Sequence, residues 1–173
     1  MGIFNVILRY FNPLKYGIKN GMKVGKGVSL AGKSGVSFGS EPYLIELGDE
    51  VRISGNVKFF THDGATWAYR DLEDYKDVSK FGAIKVGKRT FIGNSVCILP
   101  GVTIGERCII GAGSVVTRDV ESGMVVAGNP AKVLCTTNEY MDKCKERWND
   151  FHGLSFDIYK TEKRRYLEER FLK

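Results

Sequence analysis

The chain holds two histidines, and the residues around the first could put an imidazole to work: Thr61-His62-Asp63-Gly64, with Trp67 three positions further on. An imidazole near neutral pH can take the proton of a hydroxyl nucleophile, so His62 is the candidate general base. Asp63 has two readings. Its carboxylate can orient or electrostatically support the ring, as a third group often does. It can equally bind loop backbone, because neighbours in an extended chain point in opposite directions. His152 stands in the link between two helical stretches, and nothing there marks it as a ligand.

Some scaffold must hold His62, and the sequence after it repeats. From Val86 an aliphatic residue returns every six positions, at Ile92, Ile98, Ile104, Ile110 and Val116. Gly87, Gly93, Gly105 and Gly111 directly follow four of them, and small or β-branched residues such as Thr90, Val96, Ser114 and Val120 stand four positions on. Weaker copies run Ile18, Val24, Leu30, Val36 and Leu47, Ile53, Phe59. Six residues suffice for a short strand and a corner, with glycine suiting corners of unusual dihedral angle. Three such segments close a triangular coil with the aliphatic side chains stacked inside. The expected fold is therefore mainly β, a parallel β-helix of about five coils rising roughly 4.8 Å each.

The repeat breaks between Phe59 and Val86, a spacing of 27 residues that is no multiple of six. Charges and aromatics fill this stretch where corners would demand small residues. Residues from about 63 to 83 are thus expected to leave the coil as an excursion loop rooted at His62.

The stretch ILPGVTIGERCIIGAGSVVTRDV, then VVAGNPAKVL, with THDG and its tryptophan upstream, resembles the hexapeptide-repeat acyltransferases. It looks like their sugar and polysaccharide O-acetyltransferase branch. The resemblance is strong over residues 86–134, moderate over 18–61 and absent from both ends. It implies a left-handed helix, an exception to the usual crossover rule. It also implies acetyl-CoA as acyl donor, a homotrimer with active sites between subunits, and a catalytic histidine where a loop leaves the coil. The implied reaction is acetyl-CoA-dependent O-acetylation of a sugar, nucleotide-sugar or glycan precursor, of the capsule or polysaccharide kind. N-acetylation of an amino sugar, or a non-catalytic β-helix scaffold, is the alternative.

The same resemblance assigns Asn94, Ala112 and Thr117 to the pantetheine wall and Lys132 of GNPAKVL to the CoA nucleotide, with Arg118 a looser candidate. Cys135 is a departure, standing where galactoside acetyltransferase has an arginine. Trp67, Tyr69 and Arg70, with Tyr75, either line a sugar site or pin the loop to a neighbouring subunit. The γ-type carbonic anhydrases share the β-helix but hold zinc with three histidines, so two give no metal site. Serine acetylation is not expected, because serine acetyltransferase resembles this sequence only in the coil.

Composition narrows the partners. The net charge of +6 arises from basic residues scattered until KTEKRRYLEERFLK, where acids interleave with them, so a nucleic-acid partner is not expected. No apolar run reaches the length of about 18 residues needed to span a membrane. The start lacks an early basic region and a cleavage site, and four cysteines without a CxxC pair read as reduced thiols, so a cytoplasmic protein is expected. Residues 1–17 read as an N-terminal capping segment, residues 18–134 as the β-helix and residues 135–173 as a helical appendage. Ile3, Ile7, Tyr10 and Leu14 fall on one side of the first segment at helical spacing, which fits a cap over the open first coil or a peripheral membrane contact.

Overall fold

The computed structural model describes residues 3–31, 35–147, 163–165, 167–169 and 172. Two units are distinguished, Met1–Asn138 and Glu139–Lys173. The first opens with α1 (Ile3–Phe11) and α2 (Pro13–Lys19). Asn12 caps α2 by accepting a hydrogen bond from the Lys15 N–H at 3.1 Å, and Pro13 occupies its first turn, where no N–H is needed.

Short strands follow in triplets. The first run holds β1 (Lys23–Val24) and β2 (Ser29–Leu30), then a bridge at Ser37. The second holds β3 (Ile45–Leu47), β4 (Arg52–Ile53) and β5 (Lys58–Phe59). A small antiparallel ribbon, β6 (His62–Asp63) with β7 (Lys80–Phe81), brackets residues 64–79. The third run is β8 (Ile84–Val86), β9 (Phe91–Ile92) and β10 (Cys97–Ile98). The fourth is β11 (Thr103–Ile104), β12 (Ile109–Ile110) and β13 (Val115–Val116). β14 (Met124–Gly128) and β15 (Ala131–Thr136) close the series as an antiparallel pair, and α3 (Thr137–Arg147) follows.

The chain visits three sheets in rotation. The first has the order β1-β3-β8-β11, the second β2-β4-β9-β12-β14-β15 and the third β5-β10-β13. Lys85 pairs with Thr103, Phe91 with Ile109 and Cys97 with Val115, all in parallel and each an advance of 18 residues. This rotation of parallel strands at three times the sequence period fits a β-helix. Between β5 and β10 the advance is 39 rather than 18, Lys58 pairing with Cys97, because the ribbon of β6 and β7 and the residues it brackets lie between them.

Three columns of apolar side chains fill the inside. One holds Leu47, Val86 and Ile104, another Ile53, Ile92, Ile110 and Val126, and the third Phe38, Phe59, Ile98 and Val116, all buried. Each is worth roughly 1.5 to 3 kcal/mol relative to exposure. Thr90, Val96, Val102, Cys108 and Ser114, the small and β-branched positions of the repeat, are buried between them. Ser114 and Thr90 meet their polar needs within the coil, donating to the carbonyls of Gly111 at 2.6 Å and Gly105 at 2.8 Å.

Two details correct the repeat. Ile18 lies in α2 with its side chain exposed, and Phe38 rather than Val36 continues the column of Phe59, whose ring it meets at 5.1 Å between centroids. The glycines after the aliphatic residues do not supply unusual dihedrals. The left-handed residues come two positions later, at Arg89, Ser95, Gly101, Arg107 and Gly113, with φ between 53° and 85°. Gly93 is required instead by proximity, since a Cβ there would lie 2.7 Å from the Ala112 nitrogen one coil on.

At the end of the series, Thr137 ties the start of α3 to the turn before β14 by donating to the Gly123 carbonyl at 3.2 Å. In the second unit, residues 163–165 and 167–169 are helical. His152 and the remainder of the expected C-terminal helices lie outside the described residues. Among the described residues no helix is long and apolar enough to cross a membrane, and no group of three or more metal-binding side chains exists.

Candidate active site

His62 stands where the chain turns out of the third sheet. Phe60, Leu99 and Thr117 occupy successive places just beyond β5, β10 and β13, joined by N–H bonds from Phe60 to the Ile98 carbonyl and from Leu99 to the Val116 carbonyl. At Thr61 the chain leaves this edge, and at Gly82 it returns: the Gly82 N–H donates to the Thr61 carbonyl at 2.9 Å. A side chain at Gly82 would collide with the backbone of Pro100 and Gly101 on the next coil, so the ribbon can close only over glycine.

Glu41, not Asp63, meets the imidazole. Its Oε2 lies 2.9 Å from Nδ1 of His62 and 2.6 Å from the Thr61 hydroxyl, which donates to it. Thr61 is buried and the Glu41 side chain is 16% exposed, against 45% for His62. Burial alone would raise the Glu41 carboxyl. Hydrogen bonds from Thr61, His62 and Ser40, with the His62 charge, outweigh it and hold the group below the usual carboxylate range. A carboxylate accepting from Nδ1–H places the ring's lone pair on Nε2. Nε2 has no hydrogen bond among the described residues. The Phe81 ring, paired across the ribbon, leans over the imidazole at 5.9 Å between centroids.

Asp63 takes the other of its two readings. Its carboxylate accepts from the Ala65 N–H at 3.0 Å and from Lys80 Nζ at 3.2 Å, capping the 3-10 turn Gly64–Tyr69. The Ala65 N–H first, then Lys80, hold its carboxyl below the usual range. Sequence reasoning missed Glu41 because it lies 21 residues before His62, on the preceding coil. The available signal was the slip of the repeat between Leu30 and Leu47, 17 residues apart, which adds chain before β3 and brings Glu41 beside Thr61.

The other expected residues divide. Asn94 and Ala112 share the corner leading into the third sheet, where the Gly113 N–H donates to the Asn94 carbonyl at 2.8 Å; both side chains are exposed. Thr117, also exposed, lies at the opposite edge of that sheet, in the column of Phe60 and Leu99 that leads to His62. Lys132 belongs to β15, beyond β14 at the margin of the second sheet, and is outside that column. In the excursion, Tyr69 packs edge-on against Tyr75 at 5.8 Å, and the two border a hollow of about 390 Å³ with Thr66 and Val78. Trp67 and Arg70 are exposed, Trp67 by 77%.

Residues 83–118 match the family described as bacterial transferase hexapeptide (six repeats). Protein CapG of Staphylococcus aureus is 40% identical over 153 residues, covering 88% of this chain and 86% of CapG. The chain belongs to the hexapeptide-repeat transferase family. Among family members, galactoside O-acetyltransferase of Escherichia coli (strain K12) is 35% identical over 57% of this chain, a match that spans 47% of that enzyme's length. A maltose O-acetyltransferase from Clostridium difficile 630 superposes with a TM-score of 0.54 at 26% identity, covering 70% of this chain and 73% of its own. A hexapeptide-repeat-containing acetyltransferase from Vibrio cholerae O1 biovar eltor, solved in complex with acetyl-CoA, gives 0.56 at 28% identity over 67% of this chain and 60% of its own.

Proposed function

We propose that this chain transfers an acetyl group from acetyl-CoA to a hydroxyl of a sugar, nucleotide-sugar or glycan precursor, with His62 as general base. The observation that carries the reading is the Glu41–His62 pair at the root of the excursion, with Nδ1 held and Nε2 open. The names of the galactoside and maltose O-acetyltransferases support the acceptor class, and the acetyl-CoA complex of the Vibrio protein supports the donor. Acetyl-CoA supplies an activated acyl group. His62 takes the acceptor's proton, and Glu41 keeps the ring oriented and stabilises its charged form. Trp67, Tyr69 and Arg70 are the proposed acceptor-binding side chains.

Asn94, Ala112 and Thr117 are proposed to hold the donor's pantetheine arm and Lys132 its phosphates. The residues fit such an arm: Ala112 is exposed and small, so an extended ligand can lie along its corner. The full reading includes a left-handed helix, an excursion over residues 63–83, a homotrimer with sites between subunits and a cytoplasmic location. The test is thiol release from acetyl-CoA over a panel of sugars, nucleotide-sugars and glycan precursors, with the assembly state followed by light scattering. Acceptor-dependent release by a trimer is expected. Release with amino sugars alone would make the enzyme an N-acetyltransferase, and a stable monomer would remove the intersubunit site.

Donor binding has its own readout. Acetyl-CoA is expected to raise the melting temperature through preferential binding to the folded state. Ala112→Tyr should abolish that shift without unfolding the protein, because the side chain at this corner points to solvent. An undiminished shift in the variant would place the donor elsewhere.

A further inference from the structure

The whole net charge of this protein comes from its first forty residues. Arg9, Lys15, Lys19, Lys23, Lys26 and Lys33 stand there without a single aspartate or glutamate, the first acid being Glu41; the rest of the chain carries 20 acidic residues and as many basic ones. The same segment contains α1, a strongly amphipathic helix with Arg9 in its last turn. Ile7, Tyr10 and Phe11 share one face at i, i+3 and i+4 and are 51%, 75% and 77% exposed.

A helix that only covered the first coil would turn such a face inward. Here α2 does the covering: its Pro13, Tyr16 and Gly17 are buried, and Gly17 lies against Met22 and Phe38 of the core. Lys15, Ile18 and Lys19 on α2 are exposed. Arg9 and Tyr10 of α1 border a hollow of about 270 Å³ with Ser37 and Lys58, so cationic side chains adjoin the outward apolar stripe.

We propose that α1 and α2 form a docking surface for an anionic lipid bilayer. α1 lies in the interface plane, Ile7, Tyr10 and Phe11 enter the headgroup boundary, and the cations face acidic headgroups. Charge selects a bilayer over a second copy of the chain. Two copies meeting face to face through α1 and α2, which carry Arg9, Lys15 and Lys19 and no acid, would set cations against cations.

Co-sedimentation of the full chain with vesicles tests this. Vesicles of about 30% phosphatidylserine in phosphatidylcholine should bind at least about tenfold more tightly than pure phosphatidylcholine, and about 0.5 M salt should erase the difference. Tyr10→Ser with Phe11→Ser should weaken anionic binding by about tenfold or more. The melting temperature and the acetyl-CoA shift should be retained, since both side chains are exposed. Lys15→Glu, another exposed position, reads the electrostatic part if the double variant folds poorly. The proposal is overturned by equal binding to neutral vesicles or by binding to neither. It is also overturned if the double substitution lowers the oligomeric state in solution, which would assign the stripe to a second copy. Vesicle binding needs no catalysis, so its failure and that of the acetyl-transfer reading are separable.

Discussion

Replacing His62 with alanine is expected to lower kcat by about 10² to 10⁴ while acetyl-CoA binding persists. An alkyl hydroxyl stays protonated throughout the physiological range and is a weak nucleophile until a base takes its proton as it attacks. His62 is placed for that role by three features of the fold. β5 delivers the chain to the edge of the third sheet, the ribbon His62–Asp63 with Lys80–Phe81 holds the backbone, and Glu41 holds Nδ1. Neither the ribbon nor Glu41 belongs to the proposed donor wall at Asn94, Ala112 and Thr117, so the acetyl-CoA melting shift should survive the substitution. Acceptor-dependent thiol release gives the rate, and near-normal turnover by folded His62→Ala would refute the base assignment. Retained thiol release with amino-sugar acceptors alone would point to N-acetylation, because a deprotonated amine needs less help from a base.

The six-residue period made the columns legible, since Val86 to Val116 needs only the knowledge that one residue in six is buried. The added chain between β5 and β8 was legible for a related reason: a spacing of 27 residues from Phe59 to Val86 is no multiple of six and leaves a surplus. His62 could be singled out because it sits where that surplus begins. Glu41 could not, because it reaches His62 across coils, and the chain between Leu30 and Leu47 adds residues that shift the register away from a simple multiple of six. Asp63 was the tempting alternative, being adjacent, yet adjacency along a strand sends the two side chains apart. The corner glycines were misread for a different reason. Composition alone does not separate a glycine needed for its dihedral angle from one needed because another backbone passes within van der Waals distance. Arg89, Ser95 and Arg107 adopt the left-handed conformation that their neighbouring glycines do not need.

Glu41→Gln is expected to lower kcat by between about 10-fold and 10⁴-fold, the upper end applying if the amide selects the wrong tautomer. The amide can donate its NH₂ to Nδ1, which moves the ring proton to Nε2 and turns the atom facing the acceptor from a proton acceptor into a donor. Glu41→Asp retains a carboxylate one methylene further away and should recover part of the rate. Asp63→Asn should change kcat by no more than about fivefold, because it disturbs an exposed ion pair and a turn cap rather than the imidazole. KM for acetyl-CoA should stay near its original value in all three variants, which separates a positioning role from loss of the donor site.

The lowered Glu41 pKa adds a pH signature with a defined sign. Its folded value lies below the ordinary 4.5, so the carboxylate contributes stability above that value and loses it as pH falls through the lower, folded one. The Glu41 contribution to the difference in melting temperature between the original chain and Glu41→Gln should therefore be fully present above about 4.5 and shrink as pH falls below it. A difference that vanished already near neutrality would mean that Glu41 is not held as a carboxylate by Thr61, His62 and Ser40, and the orienting role would go with it.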